Sequence, residues 1–385
     1  MKLDAKALRY MSNEDFRVLT AVEVGSRNHD IVPVVLIGQL ARVRGGSVNR
    51  HITNLVKQKL IVSEPSSKYA GYKLVYAGYD HLALKTLSRR GSVGSVGNQI
   101  GVGKESDVYV AAGDDGQEVV LKLHRLGRQS FRDVKRKRDY FRPNQSPSWM
   151  YMSRLSAMKE YAFMKVLHAH GFPVPTPVDQ NRHCVVMELV DSFPLRQIEA
   201  IAEPGRLYSQ LMDLIVRLAR HGLIHGDFNE FNILIRADGE PVLIDFPQMV
   251  STAHANAEFY FNRDVDCIRT FFRRRFAYES VLYPRFTRSL DREFDLDVEV
   301  AASGFSKKDQ SCLDRFMDDA ASGDAASDDE LPSDEEIVYS DASGAEDGED
   351  GEDNASEDNE GSGDDSDCTI EQDRFGNTVR RKRQQ

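Results

Sequence analysis

Apolar positions in the first sixty residues recur at helical spacing. Ile37 to Val43 marks one face of a helix, and Val48, Ile52, Leu55 and Val56 mark a second over 47–60. Gly45-Gly46 is placed as the break between them and Ser47 as the N-cap of the second. The period then changes: Ile61-Val62-Ser63-Glu64, a polar turn from Pro65 to Lys68, and Tyr72-Lys73-Leu74-Val75-Tyr76 alternate as paired strands. Helix, tight turn, helix and two-stranded wing predict a winged-helix domain over 1–90 that ends in the hairpin. Residues 91–97, Gly-Ser-Val-Gly-Ser-Val-Gly, read as a turn between domains. Strand-like and helix-like segments then alternate to about Leu290. Val108 to Ala112 and Val119 to Leu123 flank a hairpin turn at Asp114-Asp115-Gly116. Helical patterns run from Ser153 to His168 and from Leu207 to His221, the latter with apolar Leu211, Leu214, Ile215 and Leu218. Between them lies an apolar strand, Cys184 to Met187. Ile233 to Ile235 and Val242 to Ile244 flank a second hairpin turn at Asp238-Gly239. The predicted fold class is α+β.

Composition changes this picture in one place. The 385 residues carry 50 Lys and Arg against 61 Asp and Glu, a net charge of −11. Between Asp318 and Asp373 there are 24 acids and no base, whereas residues 1–317 hold 45 bases and 37 acids and the last twelve hold five bases and no acid. The negative total therefore describes one segment, and it does not argue against a nucleic-acid-associated partner. That segment is rich in Asp, Glu, Ser, Gly and Ala and nearly free of aromatic residues, so it buries too little to offset chain entropy; residues 318–385 are expected to be a disordered acidic tail with a basic end. Ser327 and Ser333, each followed by acids, resemble acid-directed phosphorylation sites, and Arg380-Arg381-Lys382-Arg383 a nuclear-localisation patch. The four cysteines stand far apart, against a disulfide framework or zinc site. The longest apolar stretch, Ile31 to Leu40, contains Pro33 and is too short to span a bilayer, and the amino terminus leads into no signal-peptide core. These features point to a cytoplasmic protein with no membrane partner, able to shuttle through the nucleus.

In the winged helix, 15 bases stand against 7 acids. Arg42, Arg44, Arg50, Lys57 and Lys59 suit phosphate contact, or equally the solvated face of a protein-docking module. A second basic run, Arg125, Arg128, Arg132, Lys135 to Arg138 and Arg142, with Tyr140, Phe141 and Trp149, suits RNA by phosphate contact and stacking, or equally a solvated loop.

Candidate chemistry lies further along. Gly101-Val-Gly103-Lys104-Glu105-Ser106-Asp107-Val108-Tyr109 is a Gly-rich turn between strands, where backbone can approach a phosphate and Lys104 and Ser106 add a cation and a hydroxyl. Lys122 sits between Leu121 and Leu123, either facing outward or paired with an anion. His225-Gly226-Asp227-Phe228-Asn229-Glu230-Phe231-Asn232 carries Asp-x4-Asn ahead of a strand. One carboxylate can face an attacking group while the amide turns toward a cation. The return strand of the second hairpin ends in Asp245-Phe246, which brings Asp245 back near Asn232, two hard oxygen ligands for one Mg²⁺.

These residues together resemble the protein-kinase fold, and more closely the Rio family of atypical kinases, whose phosphate loop G-x-G-K-E-S-D-V-Y stands at Gly101 to Tyr109. The amino-terminal winged helix resembles that of the Rio-two subfamily. The resemblance covers roughly 1–290. It implies a kinase N-lobe over 91–190, a C-lobe over 191–290 and a C-terminal extension over 291–317. It implies ATP and Mg²⁺ as cofactors, with Lys122 on the α- and β-phosphates, Glu160 as its ion-pair partner, and Gly101, Gly103, Lys104 and Ser106 on the phosphates. Met187, Glu188 and Val190 would form the adenine hinge, Asp227 the catalytic carboxylate, and Asn232 and Asp245 the metal ligands, Asp245 also being proposed in the family to accept phosphate transiently. The departures from ordinary kinases are Asp245-Phe246-Pro247-Gln248 in place of D-F-G, and no A-P-E afterwards, so the peptide platform is absent. The resemblance further implies a serine/threonine kinase or ATPase in cytoplasmic maturation of the small ribosomal subunit, with the pre-40S particle, its rRNA, ribosomal proteins and assembly factors as partners. The alternatives are a small-molecule phosphotransferase of the aminoglycoside or choline kinase type, which shares H-G-D-x4-N, and a nucleotide-binding assembly scaffold.

Overall fold

The computed structural model describes residues 3, 5–43, 45–65, 70–126, 149–287, 292–303, 309–311 and 313, and two strands at 368–372 and 378–382. The chain divides into two units, Met1–Asp334 and Glu335–Gln385.

After a 3-10 helix at Ala5–Tyr10, the first unit continues into α1 (Asn13–Gly25). Ser12 Oγ accepts from Asp15 N (3.1 Å) and Asp15 Oδ2 accepts from Ser12 N (3.0 Å), a capping box of about 1 kcal/mol. A short strand β1 (Val32–Pro33) leads to α2 (Val34–Ala41) and α3 (Gly45–Lys57). The wing is β2 (Ile61–Pro65) and β3 (Ala70–Leu74), and β3 also pairs with β1, so the sheet has order β1-β3-β2. Val48, Ile52 and Leu55 of α3 are buried against α1, as their spacing predicts, while Arg42, Arg50, Lys57 and Lys59 are exposed. Arg44 lies outside the described residues.

Two details depart from the sequence reading. The break between α2 and α3 falls at Arg42, which takes the left-handed conformation (φ 50°). Gly45 and Gly46 instead enter the first turn of α3. Ser47 is therefore no N-cap: it sits inside the helix, its Oγ 3.1 Å from His51 Nε2. Nor does the domain end in the hairpin. It ends in α4 (Tyr76–Arg89), which is stopped by Gly91 (φ 78°).

Helix α4 joins the two domains. Its Ala83, Leu84 and Leu87 share one buried cluster with Tyr109, Ala111, Leu121, Leu123, Cys184 and Val186 of the sheet that follows. That sheet comprises β4 (Ser95–Val102), β5 (Ser106–Ala112), β6 (Glu118–His124), β7 (Pro177–Asn181) and β8 (Cys184–Glu188), all antiparallel in the order β4-β5-β6-β8-β7. Gly116 (φ 80°) makes the turn between β5 and β6. Helix α5 (Trp149–Ala169) packs on the sheet and continues into the second lobe through one apolar core.

The second lobe starts with β9 (Ser192–Pro194) and α6 (Pro204–Arg220), an amphipathic helix burying Leu207, Leu211, Leu214, Ile215 and Leu218. Strands β10 (Leu223–Ile224), β11 (Ile233–Arg236), β12 (Pro241–Leu243) and β13 (Val250–Ser251) follow, paired as β12-β11-β9 and β10-β13. Only five residues separate β13 from α7 (Ala257–Phe276), so the activation segment is as short as the missing A-P-E implies. Helix α8 (Leu296–Ala302) packs on α5 through Leu296 and Val300. None of the described helices is long and apolar enough to cross a membrane.

Of the second unit, β14 (Cys368–Gln372) and β15 (Thr378–Lys382) form an antiparallel pair with Ile370 opposite Arg380. This departs from the expectation of a tail without regular structure. The β-branched Thr369, Ile370, Thr378 and Val379 flank Gly376-Asn377, a local hairpin signal that the acidic average conceals. Arg380, Arg381 and Lys382 of the basic patch lie on β15.

Candidate active site

Strand β6 alternates a face toward α4 with a face toward α5, and Lys122 lies on the latter. Its Nζ is 2.6 Å from Glu160 Oε1 on α5 and 2.9 Å from Asp245 Oδ1, which follows β12. The lysine is thus paired and inward-facing, and Glu160 is 1% exposed. Burial alone would discharge both groups. The charges of Asp245 and Glu160 override it at Lys122 and raise its pKa, while Lys122 and His124 hold Glu160 down at about 2. Glu160 Oε2 has a second partner, His124 Nε2 at 2.6 Å, whose Nδ1 is 2.9 Å from Ser156 Oγ.

The loop between β10 and β11 presents Asp227. Asn229 Nδ2 donates to Asp227 Oδ1 (2.8 Å) and Asn232 Nδ2 to Asp227 Oδ2 (2.8 Å), so the carboxylate is held from both sides. Asp227 O also accepts from Asn232 Nδ2, and Ile244 N donates to Asn232 O, which ties the loop to the strand that carries Asp245. Burial and the neighbouring Asp245 charge raise the pKa of Asp227. Because the Asn232 amide nitrogen is committed to Asp227, its Oδ1 is the atom left for a cation.

Asp245 adopts φ 70° and is 41% exposed at its side chain. The turn after it is tight: Met249 N donates to Phe246 O, and buried Phe246 packs edge-on to His225 at 5.8 Å. Gly226 (φ 77°) lies under this turn; a Cβ there would stand 2.6 Å from Gln248 O. Burial lowers the pKa of His225 to about 4, so the ring is neutral near physiological pH and its Nδ1 accepts from Asp227 N.

The Gly-rich turn is a hairpin in which Gly101 pairs with Val108, Val102 with Asp107, and Gly103 N donates to Ser106 O (2.8 Å). Added Cβ atoms at Gly101 and Gly103 would lie at ordinary contact distance, 3.4 Å, from Val108 Cβ and Ser106 O, so what the glycines offer is bare backbone toward a ligand and not relief of a clash within the hairpin. Lys104 is exposed and Ser106 half-buried. Burial, reinforced by the charge of Asp245, raises the pKa of Glu105, which places this loop over the same acidic centre. At the hinge, Met187 and Val190 are buried. Glu188 turns its carboxylate onto Thr176 N (3.0 Å) and Oγ1 (2.7 Å), so what it offers a base is backbone.

The structure therefore brings Lys122, Glu160, Asp227, Asn232 and Asp245 into one cleft, with the Gly-rich hairpin above and the hinge on the same sheet. The residues fit a small hard cation: two oxygen donors, Asn232 Oδ1 and the Asp245 carboxylate, leave room for phosphate oxygens and water. Among the described residues no group of three or more His, Cys, Asp or Glu side chains forms a self-sufficient metal site. Arg125, read from sequence as the start of an RNA-facing run, is instead buried with Asp80 and Asp107. Arg128 through Arg142 of that run lie outside the described residues.

Asp264, on α7, was not singled out from sequence. It accepts from Gly226 N (2.8 Å) and Phe228 N (3.0 Å), holding the loop that carries Asp227. Burial pushes its carboxyl up to about 6 against these two bonds. Its only trace in the sequence is an acid within the apolar-periodic run that includes Phe261, Val265 and Ile268.

Comparison with known proteins agrees with this geometry. The family described as "RIO domain" matches residues 107–285, and that described as "Rio2, N-terminal" matches 8–90. The serine/threonine-protein kinase rio2 of Schizosaccharomyces pombe is 56% identical over 318 residues, covering 82% of this chain and 92% of that protein. Its namesake in Dictyostelium discoideum is 57% identical over 307 residues, covering 80% of this chain and 58% of that longer protein. Among solved structures, the Rio2 kinase of Chaetomium thermophilum in complex with ADP/Mg2+ and phosphoaspartate is 50% identical, with a TM-score of 0.76 over 83% of this chain and 99% of that one. The chain belongs to the Rio2 serine/threonine-protein kinases of the RIO family.

Proposed function

We propose that this protein binds ATP with Mg²⁺ and transfers the γ-phosphoryl group first to Asp245, and that the cycle drives a maturation step of the pre-40S small ribosomal subunit in the cytoplasm. The observation that carries the chemistry is the placement of Asp245: an accessible carboxylate, held in the left-handed conformation within 2.9 Å of Lys122 and facing the same cleft as Asp227. The related Chaetomium kinase holding ADP, Mg2+ and phosphoaspartate supports the same reading.

Each residue then has a task. Lys122, charged and fixed by Glu160, neutralises phosphate oxygens. Asn232 Oδ1 and Asp245 would hold Mg²⁺, which when bound would supply charge stabilisation of the phosphates. A carboxylate oxygen of Asp245 attacks the γ-phosphorus as the bond to the β–γ bridging oxygen breaks, and ADP leaves with that electron pair. Water then attacks the same phosphorus while Asp227 takes its proton. The bond from phosphorus to Asp245 breaks, releasing phosphate and restoring the carboxylate. The raised pKa of Asp227 makes it a better base than an exposed aspartate. The short segment between β13 and α7 leaves no platform for a peptide, which favours a cycle of binding and hydrolysis over phosphorylation of many substrates.

The ribosomal assignment rests on membership of the Rio-two subfamily, and the exposed Arg42, Arg50, Lys57 and Lys59 of the winged helix are compatible with an RNA-rich particle. The chemical test is incubation with γ-labelled ATP and Mg²⁺, then denaturation and treatment with hydroxylamine, which cleaves acyl phosphates. Label is expected on wild type, removed by hydroxylamine, absent from Asp245→Asn and accumulating in Asp227→Ala. Hydroxylamine-stable label, or equal label on Asp245→Asn, would refute the acceptor role. For the partner, Asp227→Ala recovered from cell extract should retain precursor small-subunit rRNA; its absence would refute the ribosomal reading.

A further inference from the structure

Behind the phosphate loop lies a buried ionic network that belongs to both domains. Asp80, on α4 of the winged-helix domain, receives the Arg125 guanidinium in a fork, Nη1 to Oδ1 at 2.7 Å and Nη2 to Oδ2 at 2.8 Å. Asp80 Oδ1 also meets His183 Nε2 at 2.8 Å, and His183 stacks on Tyr79 of the same helix with centroids 4.6 Å apart. The remaining guanidinium nitrogen of Arg125, Nε, reaches Asp107 Oδ2 at 3.3 Å, and its backbone N–H donates to Glu105 O. Gln99 Nε2 on β4 donates to the other oxygen of Asp107 at 3.1 Å. Asp80, Arg125, Asp107 and His183 are each no more than 4% exposed. Burial alone would neutralise Asp80, yet the hydrogen bonds from His183 and Arg125 hold its pKa below the ordinary carboxylate value.

Glu105 and Asp107 flank Ser106 at the tip and return strand of the Gly-rich hairpin. Arg125 thus grips that hairpin at a carbonyl and at a carboxylate, and Asp80 fixes the plane in which its fork lies. An apolar contact would have joined α4 to the sheet at least as well. Residues such as Leu84 and Leu121 already do so, and a buried charge is a poor glue when judged on stability alone. What the fork adds is direction: planar, bidentate recognition sets the angle of the guanidinium and, through Nε, the position of Asp107.

We infer that Asp80, a residue of the winged-helix domain, is a positioning residue for the nucleotide site, acting through Arg125 to hold the phosphate loop in its ATP-binding geometry. The winged helix is then part of the nucleotide-binding machinery as well as a docking module. By linkage, anything that strains α4 changes ATP affinity, and ATP changes the rigidity of α4 to the same degree. The inference rests on the ATP-binding reading above.

The experiment uses the full chain. In Asp80→Asn the geometry of the acceptor is nearly kept but its charge and one lone-pair set are lost. The expected result is an ATP KM raised about tenfold, with kcat at saturating ATP within about threefold of wild type. A purely structural role would lower the melting temperature and leave KM alone. Gln99→Ala, which releases the other oxygen of Asp107 from a half-buried edge strand, should show the same split and serves if Asp80→Asn does not fold. In wild type, ATP with Mg²⁺ should also slow hydrogen exchange at the amides of Tyr76–Arg89. A wild-type KM in either folded variant, or exchange in α4 indifferent to nucleotide, overturns the inference. Failure of wild type to bind ATP at all overturns the functional reading beneath it.

Discussion

Replacing Glu160 with Gln keeps shape and removes one charge from a site where every neighbour depends on it. Lys122 Nζ loses its 2.6 Å partner and keeps Asp245, while His124 faces an amide in place of a carboxylate. The fold holds the Glu160 carboxyl at about 2 against an ordinary 4.5. At about 1.4 kcal/mol per pKa unit, that preference for the charged form corresponds to about 3 kcal/mol. Breaking a buried pair by removing one partner costs about 3–5 kcal/mol by a separate route, so the two magnitudes agree. The folded carboxyl titrates below its unfolded value, so its contribution is complete above pH 4.5 and disappears as pH falls toward 2. Urea unfolding of wild type and Glu160→Gln should therefore differ by about 3 kcal/mol near neutral pH and converge below pH 4.5. Turnover should fall at least about tenfold in the variant, because Lys122 is no longer held for the phosphates. A difference under about 1 kcal/mol at neutral pH, or one that does not change with pH, would refute the role given to the pair.

Three further variants probe other parts of the fold. Asp264→Asn can satisfy only one of the two backbone amides of the catalytic loop, so kcat should drop about tenfold or more while the KM for ATP stays near wild type; steady-state kinetics decides it. Because burial raises Asp264 to about 6, the stability it allows is full below its unfolded value near 3.8 and is lost as pH rises through 6. Urea melts of the Asn variant should lack that slope. Gly226→Ala sets a Cβ against Gln248 O at a positive φ and should cost at least about 2 kcal/mol with loss of turnover, checked by thermal unfolding and an ATPase assay. Arg182→Ala removes the fork to Glu23 Oε1 and Oε2 (2.7 Å each) that ties the β7–β8 turn to α1, and with it the bonds to Leu82 O and Thr86 Oγ1 of α4, and should lower the melting temperature in a thermal unfolding assay.

The chemistry was legible where it is local. Asp227 and Asn232 share one loop, Asp245 returns beside them through a hairpin whose Asp238-Gly239 turn is plain, and the Gly-rich hairpin is read from its own glycines. Lys122 was ambiguous on its strand because its partner lies 38 residues away on another element. Helix α4 was missed for a physical reason: it is buried from Gly78 to Leu84 without interruption, against α1 on one side and the β-sheet on the other. A helix covered on both sides has no amphipathic stripe to read, and Val75 supplies no side-chain cap. Arg125 looked like the first of a basic run, and only tertiary structure sets it against Asp80, 45 residues upstream in another domain. Asp264 escaped because its partners are backbone amides, which leave no trace in a residue pattern. At Gly45-Gly46 a pair of glycines drew the helix break, yet Arg42 took the left-handed position and the glycines entered the next helix.

The proposed phosphoryl chemistry runs between Asp227 and Asp245, with Lys122 holding the phosphates. The most direct measurement is ATP binding and ATP turnover on the same preparations of wild type and Asp227→Ala, with Mg²⁺ present. Both should bind ATP within about threefold of one another, while turnover in the variant falls at least about a hundredfold. Equal turnover in the two proteins would contradict that chemistry.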